Sequence, residues 1–186
     1  MNDIYKILIN QKSFLSHFII LTLLCPTFIT GQILYQKSFA SGNWPAGWTF
    51  EGTGTDSWGN PAEGNWIVSS SWQGNNPPPV AVFNWTHLLF NYEYSATTPA
   101  IDVDDNDTVK VTFYFSMDFY DSGSHDSLRV SYNGGSSWID VMKIGKPSGV
   151  PNPWPNTETF LAIVNDDSTL QIRWTAYGTN SWAIDG

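Results

Sequence analysis

Carboxylates and indole rings are the chemically capable side chains of this sequence. Asp118, Asp121 and Asp126 flank a glycine-containing loop, and Asp185 lies in a distant segment. Oxygen ligands drawn together from separate segments are what a hard cation such as calcium takes. These four aspartates are the candidate metal ligands, and calcium is the candidate ion. Asp102-Val103-Asp104-Asp105-Asn106-Asp107 has a similar oxygen density. It lacks the glycine and distal glutamate of an EF-hand loop and reads as a solvated turn.

The ten tryptophans are too many for one core. Trp44, Trp48, Trp138, Trp174 and Trp182 fall within strand-like stretches or motifs and read as packing residues. Trp58, Trp72, Trp85 and Trp154 lie in or beside Gly/Pro/Asn-rich loops, where an exposed ring could stack on a sugar face or on a partner. Trp72, Trp85 and Trp154 are the candidate ligand-binding residues. Catalysis finds little support. His87 and His125 are the only histidines beyond residue 31, and no Gly-x-Ser-x-Gly elbow or His-Glu-x-x-His pair occurs. Ser124-His125-Asp126 is contiguous, but neighbours on extended backbone point to opposite faces, so adjacency makes no triad.

Residues 1–31 carry Lys6 and Lys12, an apolar run from Phe18 to Cys25, and small or turn-type residues ending at Thr30-Gly31. This is the layout of a secretory signal, with cleavage expected near Gly31 or Gln32. No later segment approaches the ~20 apolar residues of a membrane-spanning helix. Cys25 is the one cysteine, so the exported domain is expected to hold no disulfide. Without Lys6, Lys12 and Asp3, the chain keeps six of its eight basic and sixteen of its seventeen acidic residues, a balance of −10. Electrostatic binding to nucleic acid or an anionic membrane is disfavoured by that sign.

Alternation with period two dominates the rest. From Thr108 to Met117 the odd positions Val109, Val111, Phe113, Phe115 and Met117 share one face, as in a half-buried strand. The pattern recurs at Leu128–Tyr132 and Leu170–Thr175, while Phe160–Val164 is apolar throughout and is expected to be covered on both faces. Turn-rich stretches at 52–64, 73–79, 121–126 and 146–155 separate the strands. Many short strands with such punctuation predict an antiparallel sandwich in one domain.

Three motifs stand in order along this frame. Phe39 leads into Trp44-Pro45-Ala46-Gly47-Trp48; Ser131-Tyr132-Asn133-Gly134-Gly135-Ser136-Ser137-Trp138 follows past the middle; Ser181-Trp182-Ala183-Ile184-Asp185 comes last. The set resembles the MAM-like jelly-roll modules of secreted bacterial proteins, the cleaved-adhesin and choice-of-anchor families, over residues 33–186. The middle motif also approaches an Asp-box, and Asn and Gly there suit a tight hairpin.

The resemblance implies an all-β fold, an antiparallel jelly-roll β-sandwich over 32–186, with a first strand near Phe39 and a closing strand interrupted at Gly186. It implies calcium at one rim, with Asp185 at a family aspartate position; the glutamate often found after the first-strand phenylalanine is Ala40 here. The function it implies is non-catalytic recognition or adhesion, secreted or at the bacterial surface, within a longer polypeptide. A glycan or a cell-surface protein would be the partner. The alternatives are a carbohydrate-binding module with a tryptophan platform, an accessory domain of a secreted peptidase or glycoside hydrolase, and a hydrolase whose carboxylate pair the sequence does not single out.

Overall fold

The computed structural model describes residues 8–9, 33–71, 79–84, 87–103, 108–117, 127–135, 137–145, 154–164 and 169–180. Eleven strands and no helix occur among them: β1 Leu8–Ile9, β2 Thr49–Thr55, β3 Trp66–Ser69, β4 Val80–Phe83, β5 Phe90–Thr97, β6 Ile101–Asp102, β7 Thr108–Met117, β8 Ser127–Asn133, β9 Trp138–Ile144, β10 Trp154–Ile163 and β11 Thr169–Asn180.

The expected core strand is β7, with the bounds its alternation gives. Val109, Val111 and Phe113 are buried while Lys110 between them is exposed. β10 lies antiparallel along the whole of β7, from Trp154 opposite Met117 to Ile163 opposite Thr108. β1 pairs with the other edge at Lys110 and Val109. These strands form one sheet in the order β1-β7-β10. A second sheet runs β2-β5-β11-β8-β9, with β6 also pairing β11, and β3-β4 is a separate hairpin. Every strand pair is antiparallel.

The two larger sheets face each other across one core. Phe113 of β7 meets Trp174 of β11 edge-on at 5.8 Å, and Tyr132 of β8 stacks on Phe160 of β10 at 6.1 Å. Leu170, Ile172 and Ala176 join Trp174 on the inner face of β11, as its alternation requires. The β-sandwich character expected from the sequence is present.

Four local expectations are corrected. Leu161 and Ile163 are 61% and 53% exposed, so β10 is covered on one face only. Residues 34–39 lie outside any strand, so Phe39 is not in a first strand. Trp154 and Pro155 begin β10, so the stretch read as turn-rich over 146–155 is strand at its end. The stretch from Gly52 is not all turn, because β2 continues to Thr55 as the outer neighbour of β5. Its glycine is there for space: a Cβ on Gly52 would stand 2.1 Å from the Glu93 carbonyl oxygen.

The hairpin read at Asn133-Gly134-Gly135 joins β8 to β9. The Gly135 N–H donates to Asn133 Oδ1 at 3.0 Å, and Asn133 pairs with Trp138.

Candidate functional site

The Trp44–Trp48 segment builds the most distinctive feature of the molecule. Gly47 takes φ +86°, which an L side chain rarely adopts, and packs against Pro99. That turn brings Trp48 flat onto Trp174, with ring centroids 5.7 Å apart and planes 19° apart. Trp44 then lies 5.2 Å from both Trp48 and Phe39, and edge-on to Phe50 at 4.7 Å. Trp66 reaches the same cluster from β3, held by its indole N–H donating to the Tyr94 carbonyl at 3.0 Å.

Phe39, Trp44, Trp48, Trp66, Phe113 and Trp174 line a cavity of about 160 Å³ that is partly open to solvent. Tyr35, Lys37, Thr98, Thr112, Tyr114, Ser116 and Ser127 are its polar lining residues. For scale, an apolar cavity of about 150 Å³ holds a benzene-sized molecule.

Three polar atoms around this cavity are buried and, among the described residues, without a hydrogen-bond partner: the Tyr35 hydroxyl, Trp48 Nε1 and Ser116 Oγ. Buried polar groups are nearly always paired, and each one left unpaired costs about 1–3 kcal/mol. Burial pushes the Tyr35 hydroxyl above the ordinary tyrosine pKa, and the neighbouring Trp48 N–H acts the other way. A concave aromatic site with a few convergent polar groups is the usual form of a ligand pocket.

The outer face of the second sheet is built differently. Arg129 pairs with Glu93 and lies 3.7 Å from Asp140, which accepts the Ser131 hydroxyl at 2.6 Å. Arg173 lies 3.6 Å from Glu51 and 4.1 Å from the centre of the Trp138 ring. Arg129 and Lys143 both sit over Tyr177. Ser95 and Thr175 bond one another at 2.8 Å beneath this layer. Both arginines of the chain are thus neutralised by cross-strand carboxylates. His87, the histidine among the described residues, has Nε2 3.1 Å from the Glu63 carbonyl and braces a loop.

The expected sites fall largely elsewhere. Trp72, Trp85, Asp118, Asp121, Asp126 and Asp185 lie outside the described residues, and of Trp154 only the backbone is described. No group of three His, Cys, Asp or Glu side chains suited to a metal occurs among the described residues. Trp44, Trp48 and Trp174 pack as expected, but around a cavity rather than a filled core. Trp138 covers Arg173 on the outer face. Trp58 is 87% exposed at the tip of a loop closed by Asp56, whose Oδ1 accepts the Trp58 and Asn60 N–H groups at 2.8 and 2.9 Å.

Tyr35, Trp66, Phe113 and Ser116 were not singled out as site residues. The available signal was the alternation of Tyr35, Lys37 and Phe39, all three of which line the cavity. No helix among the described residues is long and apolar enough to cross a membrane. No protein-family model matches the chain, and no curated protein is significantly similar to it.

Proposed function

We propose that this chain is a non-catalytic recognition module of the MAM-like jelly-roll type, exported by its N-terminal segment and acting outside the cell as an adhesion or binding domain. The observation that carries the reading is the partly open aromatic cavity with polar atoms left without partners. A core optimised only for stability would fill such a space, since lost contacts and unpaired groups both cost free energy. Kept open at that cost, the space suits an apolar group supplied by a partner, and a cell-surface protein is the partner that best fits so apolar a wall.

Titration with toluene, followed by intrinsic tryptophan fluorescence, tests this reading. A saturable change that Trp48→Ala removes supports it; the absence of any response up to the solubility of toluene overturns it. Turnover of generic glycoside, ester or peptide substrates, abolished by one Asp or Glu substitution, would replace it with a hydrolase.

Carbohydrate binding is the second reading, favoured by one observation. Trp58 presents nearly its whole ring to solvent on a loop that Asp56 holds in shape. A fluorescence response to soluble polysaccharides that Trp58→Ala abolishes would establish it. Calcium at the acidic rim loops belongs to either reading. Chelation is expected to lower the melting temperature, since an ion bound only by the folded state stabilises it.

A further inference from the structure

The opening of the cavity says more about its ligand than the buried wall does. Of the lining residues, Lys37 is the one that is exposed, and it is also the one that carries a charge. Its Nζ stands 5.7 Å from the centre of the Tyr35 ring, so the ammonium sits over another residue of the lining. A cation in this place stands out in a chain of net charge −9. Both arginines lie against carboxylates, yet no carboxylate among the described residues is within ion-pair distance of Lys37.

The interior selects an apolar body of limited size. Phe39, Trp44, Trp48, Trp66, Phe113 and Trp174 surround about 160 Å³, room for one aromatic ring and not for a long alkyl chain. A carboxylate drawn in among these rings would be an uncompensated buried charge, and a sugar would strand its hydroxyls there. At the opening the balance is reversed. A lysine keeps its head in water on an apolar stem, so it meets an anion there without burying either charge. Aromatic walls by themselves also suit a cation, which Lys37 repels.

Resting on the recognition reading above, we infer that the cavity receives a single-ring aromatic acid, its ring among the tryptophans and its carboxylate outside them, paired with the Lys37 ammonium. No bond is made or broken in the ligand. Ring and carboxylate occur together in a free arylalkanoate and in the last residue of a chain that ends in phenylalanine.

Calorimetric titration of the full chain, at neutral pH and low salt, with 3-phenylpropionate, 3-phenylpropanamide and 3-phenylpropylamine tests the inference, because the three share a ring and a spacer and differ in charge. The acid is expected to bind about fivefold tighter than the amide, the upper end for a solvent-exposed ion pair, and the amine more weakly than the amide. Salt at about 0.5 M should erase that order by screening. Lys37→Met should bring acid and amide together while amide binding stays as it was, and Lys37→Arg should keep the preference. Lys37 is exposed, so neither variant is expected to unfold the chain, and the amide reports directly whether the cavity is still formed. Equal binding of acid and amide, or a preference that survives Lys37→Met, would overturn the acid assignment and leave the apolar recognition site standing. Tightest binding of the amine would overturn it in favour of an aromatic cage for cations. Binding of none of the three overturns both readings. N-acetylphenylalanine separates the sources: if it binds as 3-phenylpropionate does, a chain terminus is the ligand, and if it is excluded, a free acid is.

Discussion

The two faces of β11 alternate residue by residue and are opposite in design. Outward, Arg173, Thr175 and Tyr177 enter a layer in which each side chain meets residues of other strands of the sheet: Glu51 and Trp138 for Arg173, Ser95 for Thr175, Arg129 and Lys143 for Tyr177. Inward, Trp174 abuts Trp48 and Phe113 beside a space where Trp48 Nε1 and the Tyr35 hydroxyl lack partners. Arg129 Nε and Arg173 Nε on the outer face are likewise buried without a hydrogen-bond partner among the described residues, so what sets the inner face apart is open volume rather than unfinished bonding alone.

Cutting the wall of the cavity breaks the comparison most severely. Phe113→Ala is expected to cost about 3–5 kcal/mol in urea unfolding, because the ring is buried between the sheets and its removal enlarges an existing void. A loss below about 1 kcal/mol would mean that Trp174 collapses into the space.

Alkaline titration sharpens it next. Burial raises the Tyr35 pKa, and burial together with the Glu63 charge raises that of Tyr94, whose hydroxyl donates to the Ala62 carbonyl. The folded state keeps these protons longer than the unfolded chain. Stability should therefore be full below about pH 10 and decline as the pH rises beyond it. Tyr35→Phe should flatten that decline, and at neutral pH it should leave stability unchanged or slightly higher, as a buried unpaired hydroxyl is removed.

On the outer face the expected effects are smaller. Glu93→Gln should cost no more than about 1 kcal/mol, since the carboxylate is half exposed and surface pairs contribute little. It should leave toluene binding unchanged, and a change in that affinity would show that the two faces are coupled through β11. Trp58→Ala is expected to alter stability least, within about 0.5 kcal/mol, because its ring is in solvent.

Much of the sandwich was legible. β7 alternates cleanly over ten residues, and its bounds follow from that pattern alone. β8 follows to within one residue at either end, the alternation at Leu170–Thr175 marks β11 although that strand runs on to Asn180, and Asn133-Gly134-Gly135 announces its turn. β2 was hidden because its two glycines read as punctuation, whereas Gly52 is a strand residue made small by the close approach of β5. β5 shows Tyr92, Tyr94 and Ala96 in alternation, yet its opposite positions Ser95 and Thr97 are buried too. Their cover comes from side chains on other strands, which no local window contains. Phe160–Val164 failed in the reverse sense, since an unbroken apolar run predicts two covered faces and β10 has one.

The cavity was not legible, for a related reason. Packing of Trp44, Trp48 and Trp174 could be expected from their positions, but a void is the volume that side chains from distant segments fail to fill. Tyr35 and Ser116 are 81 positions apart, as their numbers show, and meet only at that space.

The apolar outer side of β10 bears on how this chain behaves in crowded solution. Leu161 and Ile163 protrude from a sheet with β10 at its edge, beside threonines and with Lys110 directly opposite Leu161. Strands with such a surface stack on their own copies unless something repels the approach, and a lysine placed among them is a common safeguard. Lys110, opposite Leu161, stands where such a safeguard is placed, and Lys110→Ala is expected to raise self-association, read by light scattering.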